Sequence, residues 1–448
     1  MSEDTRREHK AQVNRLYASY LGERCGAYLK PVLTRLNKRM DRRLVKTFFG
    51  LVMVLLIHRH RNQGMVLSEL GGYLLSPERS PAGTKRISNL LRSEKWSAEE
   101  ISQHLWEEAE EQVMEMQASG EQVLAIWDES VIEKAESLKA EGLCPVRSSK
   151  AVRLKRIKPG YFNPPGGRPI FVPGFHWLQV LVLGMKGAPT LAHMRWWTTR
   201  GEEKSDRRSQ EKQVLGEICN RLGLEVLHVF DRGFAGNPWL TLLYVHAVRF
   251  VLRWPKNYKL IDEQGRLRKP GEISKGKRSW DYRLLWDAKR RCQRKVGVIA
   301  FPVQDPSHQQ NLWLVIARPG RGRTPWYLLT SQSIASPDHA WRIVLAYARR
   351  WQVEMSIRFH KCELAFESPR LMAWESRRKL LLMATLAYAF LLSLLLPDPF
   401  LTTQWLLTHW CPRTGEWQQY VLLPLYRLRL ALSQLWLFYS PIPLLRLN

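Results

Sequence analysis

Residues 122–130 read QVLAIWDES, and the fold turns on them. Before Val123 the chain has a helical texture, and at Val123 it changes to a short apolar run that ends in Asp128. Such a run, rich in aliphatic and aromatic residues and closed by a polar one, predicts a β-strand. The design recurs at 224–236, LEVLHVFDRGFAG, where a second apolar run ends in Asp231. Between the two, FHWLQVLVLG (175–184) and LAHMRWWTT (191–199) read as strands, and KSDRRSQEKQVLGEICNRLG (204–223) reads as an amphipathic helix. Another helix is expected from NPWLTLLYVHAV (237–248), with Pro238 in its first turn.

Outward from this region the texture changes again. From 249 to 331 the runs RFVLRWP, DYRLLWD, RKVGVIAFPV, NLWLVIARP and PWYLLTS predict strands, some of them separated by turns such as DEQG and PGRG. Residues 1–115 read as helical. Within them LSELGGYLL (67–75) and GTKRISNLLRS (83–93) have helix-turn-helix proportions, and the second presents Lys85, Arg86 and Arg92. Many three-helix bundles share those proportions, so DNA reading and plain packing both stand. At the other end, LLLMATLAYAFLLSLLL (380–396) is an apolar helix at the lower length limit for a membrane span. A helix buried behind the active domain is its expected use. Residues 400–448 are rich in Trp and Leu.

Charge narrows the function. Lys and Arg number 69 against 41 Asp and Glu, a formal charge of +28 with a pI near 10.1. An excess of this size asks for a polyanionic partner, of which nucleic acid is the commonest. The basic residues are spread along the chain, with runs at RSSKAVRLKRIKPG (147–160) and KRRCQRK (289–295). That suits an extended DNA track better than a basic tail. Lys150, Arg153, Lys155, Arg156 and Lys158 form either a solvated loop or a phosphate contact, and their mutual repulsion favours the second. The six cysteines form no CxxC pair or His/Cys cluster, so no structural zinc is expected. The charged start MSEDTRREHK carries no secretory pattern, and a cytoplasmic, nucleoid-associated protein with no membrane partner is expected.

A third acid stands in YARRWQVEMSIRFHK (347–361). On a helix Tyr347, Arg350, Glu354 and Lys361 share roughly 60° of arc, with Arg358 close by. This is either a solvated face with i,i+4 ion pairs or a phosphate-facing helix whose single carboxylate does chemistry. An Asp at a strand end is often only a turn former or a cap. Three carboxylates brought together from two strand ends and a helix would instead make a hard oxygen site for Mg²⁺ or Mn²⁺. Two such ions roughly 4 Å apart could serve phosphodiester chemistry. Glu129 points away from Asp128 if the strand continues, which favours Asp128.

The order of WDES, FDRGF and Tyr347-x2-Arg350-x3-Glu354-x6-Lys361 resembles bacterial insertion-sequence transposases of the DDE class. More narrowly it resembles the family with the Tyr-Arg-Glu-Lys signature, the hairpin-forming insertion sequence four family, over about 123–365. The resemblance implies an α/β fold: an RNase H-like catalytic core interrupted by a β-rich insertion and flanked by helical N- and C-terminal regions. The expected divisions are a DNA-end-binding region at 1–115, core at 116–248, insertion at 249–335, the last core helix at 336–372 and a dimerising helical region at 373–448. It implies two Mg²⁺ ions (Mn²⁺ as a substitute) held by Asp128, Asp231 and Glu354. Tyr347, Arg350 and Lys361 would then contact phosphates; Arg358, beside the same stripe, and Lys85 and Arg86, on the basic helix of the helix-turn-helix pair, are further expected DNA contacts. Trp326, opening WYLLT, would stack a displaced base, unless it is an ordinary packed strand aromatic. The implied partners are double-stranded DNA, as terminal inverted repeats and target, and a second copy of the chain. Two rival readings are an inactive or domesticated DNA-binding protein on this scaffold, and a membrane-associated protein built around 380–396.

Overall fold

Among the described residues the helical texture upstream of Val123 forms five α-helices: α1 (Glu3–Asn37), α2 (Arg42–Ile57), α3 (Leu67–Leu74), α4 (Ser80–Arg92) and α5 (Glu99–Ala118). The computed structural model describes residues 3–58, 64–134, 137, 139–151, 169–287, 292–320, 323–411 and 424–441. Arg153, Lys155, Arg156 and Lys158 lie outside the described residues. α3 and α4 cross at two glycines, because a Cβ on Gly71 would fall 2.4 Å from the Thr84 amide and one on Gly83 would fall 2.1 Å from the Gly71 carbonyl. Only residues without a side chain allow so close an approach.

The strands then begin. β1 (Leu124–Glu133), β3 (Phe171–Leu183) and β4 (Thr190–Trp197) form an antiparallel meander, and β2 (Cys144–Arg147) pairs with the start of β3. Helix α6 (Arg207–Leu222) follows and leads into β5 (Leu227–Phe230), which joins β1 in parallel. Helix α7 (Asn237–Val245) carries the chain to β6 (Arg249–Arg253), parallel to β5. This meander with two parallel additions is the RNase H-like arrangement, and the fold is mixed α/β. The strand at 249–253, expected to open the insertion, is therefore an integral core strand.

The insertion does not form a separate lobe. Short strands β7 (Leu260–Ile261) and β8 (Leu267–Arg268), a single turn α8 (Pro270–Ile273), and β9 (Asp281–Asp287), β10 (Cys292–Gln304), β11 (Asn311–Arg318) and β12 (Trp326–Thr330) extend the same sheet. The strand order is β2-β3-β1-β5-β6-β12-β11-β10-β7-β8, with β4 on β3 and β9 on β10. β12 returns antiparallel against β6.

Next come α9 (Pro337–Ala348), α10 (Trp351–Cys362), α11 (Trp374–Ser393), α12 (Phe400–Trp410) and α13 (Leu425–Phe438). The stretch 347–361, expected as one helix, is divided between α9 and α10. At the junction the Arg350 amide donates to the Tyr347 carbonyl (3.0 Å) and the Gln352 amide to the Arg349 carbonyl (3.0 Å). This i to i−3 pattern tightens the chain without reversing it. Among the described residues no helix is long and apolar enough to cross a membrane. The apolar stretch at 380–396 lies largely in α11, which packs against α2, α4, α5, α13 and β4.

Apolar residues bury both faces of the sheet. Leu124 and Ile126 of β1 and Leu227 and Val229 of β5 face one core, shared with α9, α10 and α11. Ala125, Trp127 and Phe230 face the other, shared with α6 and α7. Strand alternation then sends Asp128 and Asp231 to the α10 side, and Glu129 to the α6 side. The two acid-bearing strands are also joined by side chains, since the buried Trp127 indole donates to His228 Nδ1 (3.1 Å).

Candidate active site

The α10 side of the sheet holds the three acids. Asp128 stands in register with Gln179 of β3. Its Oδ1 accepts from the Glu129 amide at 2.9 Å, a local bond that fixes the carboxylate against the strand. Asp231 follows the last residue of β5 and opens a short 3₁₀ turn, whose Phe234 amide donates to the Asp231 carbonyl (3.1 Å). Phe234 is buried in the aromatic cluster around Trp127, Phe230 and Trp239 and anchors the turn. Glu354 lies in the first turn of α10. That helix is tied to the sheet by a buried bond from the Gln179 amide nitrogen to the Ser356 hydroxyl.

One guanidinium unites the group. Arg350 lies 3.6 Å from Asp128 Oδ2 through one terminal nitrogen and hydrogen-bonds Glu354 Oε1 through the other. The Tyr347 hydroxyl donates to Asp231 Oδ1 at 3.3 Å. Burial acts to lower the Arg350 pKa, but Tyr347, Asp231, Glu354 and Asp128 together hold it above its ordinary value. Burial also pushes the Asp128 carboxyl up to about 7; Arg350 opposes the rise, while Asp231 and Glu354 add to it. Tyr347 is likewise raised, chiefly by burial, so it remains a neutral hydroxyl donor. The site is thus a cluster of carboxylates with more negative charge than its one internal cation relieves.

Hard oxygen donors in such a cluster fit a divalent cation of the magnesium class. The arrangement is not already a closed cage. Among the described residues no group of three or more His, Cys, Asp or Glu side chains is drawn in tightly enough to hold a metal ion. The Arg350 guanidinium occupies the space among the acids, so it is the stand-in cation.

The other expected residues divide. Trp326 opens β12 with its ring centroid 5.2 Å from that of Tyr347, edge to face. It therefore borders the acid cluster. Arg358 is exposed on α10. Lys361, at the far end of α10, is not joined to the acids. Its ammonium is lowered mainly by burial and faces Glu367, Glu133 and Lys150. Lys85 and Arg86 are exposed on α4, and Arg86 lines a groove of about 1870 Å³ with Lys30, Lys38, Arg43, Lys46 and Arg92. They belong to a different surface.

Four residues of the site escaped the reading of the sequence. Arg253 ends β6 and lies 5.5 Å over the Trp326 ring and 5.6 Å over Tyr347. The rule that drew attention to acids at strand ends would have found it in RFVLRWP. Arg207, at the start of α6, reaches Glu129 (2.5 Å), Glu211 (2.9 Å) and the Gly233 carbonyl (3.1 Å). It connects the strand of Asp128 to the turn of Asp231. Arg349 donates to the Gly187 carbonyl (2.6 Å) and pins the α9–α10 junction to the β3–β4 turn. Trp351 is exposed beside Arg350.

Comparison with known proteins adds to this geometry. No curated protein matches the chain. Among solved structures, similarity extends to a piggyBac transposase, described by cryo-EM in a synaptic complex with hairpin DNA, at 13% identity and a TM-score of 0.40. The alignment covers 96% of this chain and 83% of that one. Residues 200–390 match the family model described as "Transposase DDE domain", a segment that holds Asp231, Tyr347, Arg350 and Glu354 and leaves out Asp128. Over that segment the chain is similar to transposase DDE domains.

Proposed function

We propose that the chain is a DNA transposase that cuts the ends of an insertion sequence and joins them to target DNA by two-metal phosphodiester hydrolysis and transesterification. The observation that carries this reading is the convergence of Asp128, Asp231 and Glu354 around Arg350. Asp128, Asp231 and Glu354 would hold two Mg²⁺ ions, with Mn²⁺ as a substitute. Bound there, such ions would lower the pKa of a water and offset charge on the phosphodiester. The remaining roles belong to the chain's own residues. Arg350 would leave the carboxylates and turn to a phosphate, a planar fork matched to two phosphate oxygens. Tyr347, held neutral, donates a hydrogen bond. Trp326 offers a ring to a base displaced near the cut.

The narrower reading is a cut-and-paste route through a DNA hairpin, with Tyr347, Arg350, Glu354 and Lys361 as the signature of the hairpin-forming family. In it the chain works as a homodimer on paired inverted repeats. The groove lined by Lys30, Arg43, Lys46 and Arg86 would grip end DNA, and the helices after 373 would serve dimerisation. The test is nicking of duplex DNA carrying the terminal sequences that flank the gene. Cleavage in Mg²⁺ should be lost in each of Asp128→Ala, Asp231→Ala and Glu354→Ala while DNA binding is retained. Tight binding without any cleavage by the wild-type chain refutes the catalytic reading.

A further inference from the structure

β9 pairs antiparallel with the start of β10, and β9 carries an unusual face. Trp280, Tyr282, Leu284 and Trp286 are 44%, 52%, 67% and 59% exposed. Strand alternation puts all four on one side of β9. The intervening residues hold the strand down. Asp281 accepts from the Trp341 indole (2.8 Å), the Arg283 guanidinium lies 5.1 Å from the Trp341 ring centroid, and Leu285 packs on the core. Among the described residues only three tryptophans are exposed, and two of them stand on this stripe.

The stripe is ordered and cationic. A Cβ at Gly297 would fall 2.7 Å from the Tyr282 ring, so glycine there seats the tyrosine flat on β10. Lys295 lies 4.7 Å from the same ring centroid, and Lys277 and Arg278 are exposed in the turn entering β9. Register fixes where the hairpin points. Arg253, at the end of β6, follows the pairing of Leu252 with Leu329, and Trp326 pairs with Ala317. Ala317 pairs with Val298, and Arg318, the last residue of β11, pairs with Gly297. Beyond that point only Cys292–Val296 and Arg283–Asp287 remain paired, so the hairpin projects from the sheet edge that bears Asp231, Arg253 and Trp326.

We propose that the β9–β10 hairpin is a stacking platform for unpaired bases of a DNA strand leaving the acid cluster, with Trp280 and Trp286 carrying bases and Lys295 a phosphate. Every second residue of an antiparallel strand advances about 6.8 Å, twice the ~3.4 Å between bases along one DNA strand, so bases can alternate with rings. Aromatic faces accept any base, and cations beside them hold the backbone. A second copy of the chain suits the face less well, because it would bring Lys277, Arg278 and Lys295 against their own equivalents.

The inference rests on the proposed function only in taking DNA as the partner. Its test uses the full chain in EDTA, with anisotropy of a labelled blunt duplex and of the same duplex bearing a short single-stranded overhang. Trp280→Ala/Trp286→Ala should lose about tenfold in affinity for the overhang DNA per ring removed. Affinity for the blunt duplex should stay unchanged, and Trp280→Phe/Trp286→Phe should keep most of the binding. Equal loss on both DNAs, or no loss on the overhang, overturns the proposal. So does self-association in sedimentation velocity without DNA that the double alanine variant abolishes. Because binding is read in EDTA and cleavage separately in Mg²⁺, a wild-type chain that fails to nick but still prefers the overhang refutes the catalytic reading and leaves this one standing.

Discussion

The acid cluster should cost the fold stability, and Asp128→Asn should recover it. Burial lifts the Asp128 carboxyl from 3.8 to about 7, so the folded chain takes up its negative charge reluctantly. A carboxyl raised in this way gives its full stability below the unfolded value, loses it progressively up to the folded value, and is flat above. At about 1.4 kcal/mol for each unit of pH between 3.8 and about 7, the ionised side chain costs up to about 4 kcal/mol. The side chain is 20% exposed, and water reduces that figure, so about 2 to 4 kcal/mol is expected. Asparagine keeps an oxygen for the Glu129 amide and never ionises. Denaturation midpoints in EDTA should therefore coincide for the two proteins near about pH 4, diverge up to about pH 7 and run parallel above it, with the variant the more stable. Titration of groups remote from the cluster cancels in the difference. Added Mg²⁺ should raise the wild-type chain more than the variant, since a ligand stabilises the state that binds it. A difference that does not change with pH, or a variant less stable than wild type near about pH 8, refutes the reasoning.

Other perturbations follow from the same contacts. Arg350→Ala removes the cation that opposes the rise of Asp128, so the midpoint of a pH profile of nicking should move alkaline of its wild-type position, and Arg350→Lys should restore part of it. Arg207→Ala strands Glu129 and leaves the fully buried Glu211 with Arg208 as its remaining cation, and because Arg207 is itself partly exposed the loss should be about 2 to 3 kcal/mol in denaturation, short of a wholly buried pair. Nicking should fall further than stability explains, because the turn of Asp231 loses its tie to Gly233. Gly83→Ala drives a Cβ into the Gly71 carbonyl and should cost about 1 to 3 kcal/mol in the same measurement; a neutral result would mean that the α3–α4 crossing is looser than its geometry.

Much of this was legible because strand periodicity is local. The apolar run before Asp231 is a strand that stops there, whereas β1 runs on past Asp128 to Glu133, so Asp128 stands mid-strand and not at the expected strand end. Alternation still separates it from Glu129, which faces Arg207 on the other side of the sheet. Tyr347, Arg350 and Glu354 were picked out by helical spacing, and the acids do gather around Arg350. The same spacing does not bring Lys361 into the cluster. Lys361 shares a face with Glu354 but stands two turns, about 10 Å, further along the same helix, where it meets Glu367 and Glu133. Pairing between distant strands has no local trace, which is why Arg249–Arg253 read as insertion when its partner is β5. Arg207 and Gln179 were invisible for a related reason, since their importance lies in contacts made across the fold.

The insertion's direction accounts for the delivery of the third acid. β5 and β6 both end at the edge that carries Asp231, so a helix leaving β6 directly would start at that edge and run away from it. β12 is antiparallel to β6, with Thr330 opposite Val251 and Leu328 opposite Arg253, so it starts at the acid edge and ends at the opposite one. Ser336 then caps α9 there, its hydroxyl accepting from the His339 amide at 3.3 Å. α9 runs back over the sheet, with Ile343, Val344 and Tyr347 buried in the core beneath it, and reaches the acid edge at Tyr347. The tightened turn at Arg349 and Arg350 adds Glu354 within one further helical turn. The reversal supplied by β12, and not the length of the chain between β6 and β12, is therefore what brings the glutamate to the two aspartates. Hence the strands between them can be elaborated, even into a projecting arm, without moving the acid cluster.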